Sequence, residues 1–434
     1  MPDFTREQVI ATATAARTLK GTRLSGLDLS KTDLCGIQLE KVQLLDTDLS
    51  NADLRRAHLT RATMRGADLS GANLSEADLI GARLDGANLH RANLRRARLG
   101  GCILSRAYLR EADLSNAYAS AVNLSGAYLR RANLSGIRLS GILWDANLLS
   151  ANLQAANLDQ AKLLRTSLHR ADLREADFGS ALMHEVDLSG ANLCGAKLQH
   201  ANVRQLNLVG ALMDETTEIS AELRLACEIV NEGGAGRVLR DVELRNTNLR
   251  SVELQAADLR GADLSKADLS EANLRGADLT GTKMQWTCLR KVKLDDTTKL
   301  DPKWHLVWKL VNHAEKGHDL SNSDLRDADL RGIGLWDADL SGADLRGANL
   351  AGITLIGATQ WKETNVRLGL GDTGIRLHVA DLTGANLSGA DLRKADLSEA
   401  DLNAIDLSKT QYDLSTKWPE GFDPEAAGAV LVND

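Results

Sequence analysis

The chain has 434 residues, a formal net charge of −7, 43% hydrophobic residues and only 3% aromatic ones. No apolar run approaches the ~18 residues that a membrane span needs, and the opening MPDFTREQVIATATAARTLK has mixed charge and no apolar block, so neither a spanning helix nor a signal peptide is expected. Five cysteines (Cys35, Cys102, Cys194, Cys227, Cys288) form no CxxC pair and read as reduced thiols of a cytoplasmic protein, with no metal site among them.

Residues 1–19 read as an N-terminal helical cap, with the helix beginning near Thr5. From 20 to 213 the pattern A-(D/N)-L-x-x repeats, as it does later in ADLSKADLSEANLRGADL (262–279). Five residues advance an α-helix by about 500°, which smears successive leucines around its surface. On one straight strand an odd repeat sends alternate leucines to opposite faces. A chain that turns one corner per repeat keeps Leu (position i) and Ala (i−2) inward and puts i−1, i+1 and i+2 outside. Asp or Asn at i−1 and Gly or Ser at i+1 and i+2 are turn formers. Four corners close a coil of twenty residues, and stacked coils make a solenoid. Repeat centres run from Leu24 to Leu139. The register then slips by one, since keeping it would send Trp144 and Asn147 into a narrow lumen; Leu143 resumes the series, which continues to Met213. A shortened turn or kink is expected there.

Two interruptions, 214–236 and 295–317, align without a gap at an offset of 81 residues. Ile219, Leu223, Ala226, Cys227 and Val230 mark one helical face in the first; Leu300, Trp304, Val307, Trp308 and Val311 fall at the same places in the second. Ser220 and Asp301 read as N-caps, Pro302 sits at N1, and Gly233 or Gly317 ends each segment. An open coil end exposes unpaired backbone and leucines, so helices carrying Leu223, Val230, Trp304 and Trp308 are expected to cover it. Between and beyond them lie a second repeat tract (237–294), a third (318–357), a Gly-containing connector (358–379), a fourth tract (380–409) and a C-terminal tail (410–434) that begins with a cousin of the D-x-T signal at each tract exit.

The tandem A-(D/N)-L-x-x motif resembles the pentapeptide-repeat family, and the multi-tract arrangement is similar to that of cyanobacterial members. The resemblance implies an all-β fold, a right-handed quadrilateral parallel β-helix. It leaves function open, because one scaffold serves many purposes.

Motifs that suggest chemistry dissolve into the repeat. GLGDTGIRL holds G-x-G-x-x-G at Gly369, Gly371 and Gly374, but five-residue repeats follow where a dinucleotide site needs a helix. His305, His313 and His318 lack a cysteine or carboxylate at ligand spacing. Carboxylates sit on flat walls, without the desolvated pair that general acid–base work needs. No enzyme, cofactor or metal is therefore expected.

One group stands out. Residues twenty apart stack in a column, and the wall centred on Leu89, Leu109 and Leu129 carries His90 and Arg91, then Tyr108 and Arg110, then Tyr128, Arg130 and Arg131, with Glu111 as the one acid. Arginine interleaved with aromatics can bind an acidic protein, a phosphate or nucleic acid, and the spacing also makes cation–π contacts available. Residues 1–213 carry 26 Lys+Arg against 21 Asp+Glu, net +5, whereas 214–434 carry 26 against 38, net −12. The leading expectation is a non-catalytic scaffold that binds protein partners on its walls and inserted helices. The resemblance also implies an alternative, a DNA mimic that binds DNA gyrase as quinolone-resistance members do, which the basic long tract and the proline-bearing tail disfavour.

Overall fold

The computed structural model describes residues 2–15, 17–313, 318–335, 338–340, 343–353, 356–359, 376–379, 382, 385–398, 400, 402 and 405–432. The chain forms two compact units, Met1–Asn231 and Glu232–Asp434, and each is built from right-handed, four-sided parallel β-coils.

A single turn scheme recurs through both. In the coil around Leu49, its amide donates to Asp68 O (2.7 Å) in the next coil, and Asn51 N donates to Ser70 O (2.8 Å). Asp48 Oδ1 accepts the Ser50 amide (2.8 Å), the local bond that makes Asx residues good corner formers. The i+2 residue takes the left-handed conformation, whether Asn51 (φ 57), Arg56 (φ 55) or a glycine. Leu and Ala point inward: Leu109, Leu129, Ala107 and Ala127 are fully buried. Adjacent coils pair at a twenty-residue step, as at Asn88↔Tyr108 and Tyr108↔Tyr128.

In the first unit α1 (Arg6–Ala15) buries Val9 at the first coil. Arg6 ties the helix down, donating to Asp28 Oδ1 and to Ser30 O (both 2.8 Å). The parallel strands β1 (Tyr118–Asn123), β2 (Arg138–Ile142), β3 (Ala161–Leu164), β4 (Leu182–His184) and β5 (Asn202–Arg204) follow one another across successive coils. The step drops to nineteen residues at Tyr128↔Asn147 and returns to twenty at Asn147↔Ser167. Leu143 is 1% exposed and Trp144 41%, so the slip keeps Leu in the lumen and Trp outside. Gly141 permits the short coil. Its φ is +132, and a Cβ there would lie 2.1 Å from Val122 O, so no other residue fits.

The exit from this stack is built from D-x-T-T. Asp214 Oδ1 accepts the Thr216 amide and hydroxyl (3.0 and 2.7 Å), and Thr217 Oγ1 donates to Leu193 O (3.0 Å). Helix α2 (Ala221–Glu232) then lies over the last coil, capped by Ser220, whose hydroxyl accepts the Leu223 amide (3.3 Å). It buries Leu223, Ala226, Cys227 and Ile229.

The second unit repeats the device. Asp295 accepts from Thr297 and Thr298, and Thr298 Oγ1 donates to Leu274 O (3.2 Å). Helix α3 (Pro302–Asn312) buries Trp304, Val307 and Leu310, and Trp308 Nε1 donates to Val292 O (2.8 Å). Trp286, at a corner with φ 56, links the second tract to the third: its amide donates to Asp327 O and its indole to Gly347 O, both at 2.7 Å. The third and fourth tracts stack directly on one another, with Leu345 N bonded to Asn386 O and Leu350 N to Asp391 O. The described strands of the intervening segment form an antiparallel pair, β6 (Ile356–Thr359) with β7 (Arg376–Val379). Gly369, Gly371 and Gly374 lie outside the described residues. In the tail β8 (Gln411–Tyr412) pairs in parallel with β9 (Val430–Leu431), and Trp418 packs between Tyr412 and Phe422.

Candidate interaction wall

The repeat grammar places short polar residues at i−1, so Tyr108 and Tyr128 stand out from a wall that is otherwise flat. Their rings stack with centroids 5.1 Å apart and planes 9° from parallel, and each is about half exposed (52% and 48%). The coil spacing of about 4.8 Å is nearly the ideal stacking distance, so backbone geometry alone holds the pair in register.

The surrounding charges divide in two. Glu111 accepts from Arg91 Nε (2.9 Å) and Arg110 Nε (3.2 Å), and these guanidiniums, Arg91 first, hold its carboxyl below the usual range. His90 Nδ1–H donates to Arg110 O (2.9 Å), which fixes the ring along the wall. Arg130 and Arg131 are exposed and have no ion pair among the described residues. The four-residue arrangement Tyr108, Arg110, Tyr128, Arg130 is thus on one wall, but its cation–π expectation is corrected. Arg110 turns to Glu111, and the arginine found over a tyrosine is Arg138, 5.4 Å from the Tyr118 centroid on the opposite wall.

The end helices also depart from simple periodicity. Val230 is half-buried, and Ile229 is 1% exposed in its place. Leu310, 81 residues on, is 4% exposed and takes the same role, while Trp304 is buried and Trp308 half-buried. A helix lying flat on a coil end meets a broad apolar plate, which widens the buried face beyond one 3–4–7 stripe. The sequence reading missed a paired polar clamp as well. Asn231 Nδ2 donates to Leu208 O (3.2 Å) and Cys227 O (2.9 Å), and its Oδ1 accepts the Gly210 amide. Asn312 does the same with Leu289 O (2.9 Å), Trp308 O (2.8 Å) and the Lys291 amide. All four positions in each set keep the offset of 81, and the Asn231/Asn312 pair itself lies within the gapless alignment. His305 and His313 pack on Trp308, at 5.5 and 5.0 Å between centroids. No cluster of metal-ligating side chains occurs among the described residues. Cys102 occupies an inward Ala position, where burial pushes its thiol up to about 12. None of the helices described is long and apolar enough to cross a membrane.

A family model for pentapeptide repeats (8 copies) matches overlapping stretches from 18–56 to 102–142, then 151–190 and 180–214, 236–265 and 257–296, 323–359 and 373–410. Those matches span well over half of the chain, and the gap between 142 and 151 falls at the nineteen-residue coil. None of the curated proteins matches the chain. Among solved structures it is similar to HetL from the cyanobacterium Nostoc sp. strain PCC 7120, a pentapeptide repeat protein involved in heterocyst differentiation regulation: 26% identity over 67% of this chain and 94% of that one, TM-score 0.20. Rfr23 from the cyanobacterium Cyanothece 51142 is 18% identical over 49% of this chain and 97% of its own, TM-score 0.19. A trypsin-treated variant of QnrB1, a plasmid-mediated fluoroquinolone resistance protein, is 18% identical over 64% and 91%, TM-score 0.15. With its matches distributed across both units, the chain belongs to the pentapeptide-repeat family.

Proposed function

We propose that the chain is a non-catalytic scaffold that holds an acidic protein partner on the wall carrying Tyr108 and Tyr128. Pentapeptide-repeat proteins are generally non-catalytic structural or adaptor proteins. The observation that carries the reading is the half-exposed tyrosine stack beside the unpaired guanidiniums of Arg130 and Arg131. Tyrosine and arginine are the residue types that dominate interface energetics. Stacking has already ordered both rings, so binding costs little further side-chain entropy. Helices α2 and α3 spend Leu223, Ile229, Trp304, Val307 and Leu310 on coil ends, which leaves them less apolar surface for a partner. An acidic DNA mimic that binds DNA gyrase is less favoured, since residues 1–213 carry net +5. The test replaces Tyr108, Arg110, Tyr128 and Arg130 by Ser or Asn and compares partners recovered by affinity capture. Melting should stay within a few degrees, while an acidic partner is lost and the parent complex weakens with salt. Recovery of the same partners by both chains rejects this wall.

A further inference from the structure

The wall that meets the tyrosine wall at the Gly126 corner carries large apolar side chains where the repeat places short polar ones. Its i−1 column, fixed by pairings from coil to coil, reads Arg83, Ile103, Asn123, Ile142, Lys162, Leu182, Asn202. Polar and apolar residues alternate, and the order is symmetric in kind about Ile142. The next outward position after Ile142 is Trp144, 41% exposed. Leu182 is 40% exposed, and Ile103 and Ile142 are half-buried.

The charges follow the same symmetry. On the adjoining corner Arg106 lies two coils before Asp145, and Glu185 lies two coils after it. Arg106 is exposed and has no ion pair among the described residues. Its stem leans one coil toward the centre, with Cγ 3.4 Å from where a Cβ on Gly126 would stand. The Glu185 side chain is 52% exposed, with His184 3.7 Å away. Asp145, at the centre, is neutralised by Arg165 (2.8 Å).

Two such faces can be laid together about a two-fold axis that runs along the strand direction at the level of Ile142. Each coil before the centre then meets the coil equally far after it in the second copy. Ile103 meets Leu182, Ile142 and Trp144 meet their own counterparts, and Lys162 meets Asn123, its stem long enough to carry the ammonium to the rim. Arg106, leaning inward, comes within reach of Glu185 of the second copy, whose side chain spans about one coil. An axis along the solenoid would instead set Ile103 against Ser105 and Leu182 against His184, which gives neither an apolar partner. A self-complementary face is what an isologous interface requires, whereas an unrelated partner imposes no such symmetry. Flat sheet faces pack together at about 10 Å. We infer that this wall binds a second copy of the chain in antiparallel orientation, with Ile142 and Trp144 at the centre. Seven coils at about 4.8 Å make a face about 34 Å long, at the small end of specific interfaces, so the dimer forms at micromolar concentrations.

The test is sedimentation velocity on the full chain from 1 to 200 µM, where the parent should pass from monomer to dimer. Trp144→Ser should leave the chain monomeric at 200 µM, and Arg106→Glu should weaken the dimer at least fivefold. Adding Glu185→Arg to Arg106→Glu should restore the parent behaviour, because the antiparallel arrangement pairs these two positions between copies. All three variants should keep the parent melting temperature, since the side chains lie outside the lumen. The Tyr108→Ser/Tyr128→Ser chain should dimerise as the parent does, which separates this wall from the tyrosine wall. A parent that stays monomeric at 200 µM, a dimer indifferent to Trp144→Ser, or a charge exchange that fails to restore association overturns the inference.

Discussion

Replacing Asn312 by Ala tests how the inserted helices hold the coil beneath them. The side chain supplies Leu289 O with a donor at 2.9 Å, Trp308 O with another at 2.8 Å, and accepts the Lys291 amide. Trp308 O lies within the helix, and Lys291 is an exposed corner whose amide can turn to water. Leu289 O lies beneath α3, and leaving such a group unpaired costs about 1–3 kcal/mol. A loss of about 2 kcal/mol corresponds to roughly 30-fold faster opening of the last coil. Hydrogen–deuterium exchange read on peptides covering 286–294 measures it directly, and Asn231→Ala should accelerate the coil at 206–210 by a similar factor. Asn312→Asp should be as harmful, since it loses both donated bonds. Less than a threefold change in both coils would show that the helices rest on the stack without holding it.

Three further outcomes follow from the same geometry. Gly141→Ala brings a Cβ to 2.1 Å from Val122 O at a φ of +132, and should cost at least about 2–3 kcal/mol by thermal melting; Gly126→Ala, whose Cβ meets only Arg106 Cγ at 3.4 Å, serves as the mild comparison. Leu114→Asp places an unpaired charge in the lumen, where Leu114 is 1% exposed, and should cost several kcal/mol by denaturant titration; a loss below about 1 kcal/mol would reverse the inside–outside assignment. Hydrogen bonds led by that of Thr216 hold Asp214 down to about 2, below its ordinary 3.8, so its contribution is present above pH ~4 and is lost as pH falls towards 2. Asp214→Asn should flatten acid destabilisation over that window, and an unchanged acid profile would remove Asp214 from the exit clamp.

How far the sequence reaches depends on whether a feature is periodic. Leu and Ala at fixed positions report the coil without ambiguity, and the slip at Leu143 was legible because Trp144 cannot enter the lumen. Both end helices follow from their apolar spacing, with Ser220 capping α2 as expected and Pro302 opening α3, where Asp301 makes no side-chain capping bond; Ile229 and Leu310 were missed because the surface they cover is a plate rather than a groove. The direct stacking of Leu345 on the coil of Asn386 is invisible in a linear reading, because the pairing step jumps from twenty residues to 42 at Asp344↔Asn386. Trp286 gives no local sign that its indole reaches Gly347. At the candidate wall, column arithmetic brought Tyr108 over Tyr128. It could not show that Glu111 claims Arg91 and Arg110, since side-chain direction is settled by local charge.

Site-specific photo-crosslinking tests the scaffold reading most directly. A benzophenone side chain placed at Asn88, which pairs with Tyr108 in the next coil, is compared with one at Arg98, an exposed residue on the opposite wall, each expressed in cells that make the chain. The account predicts a discrete crosslinked protein at 88 that is absent at 98 and is lost when Arg130 and Arg131 are changed to Ser. Equal crosslinking at both positions, or none at 88, would contradict it.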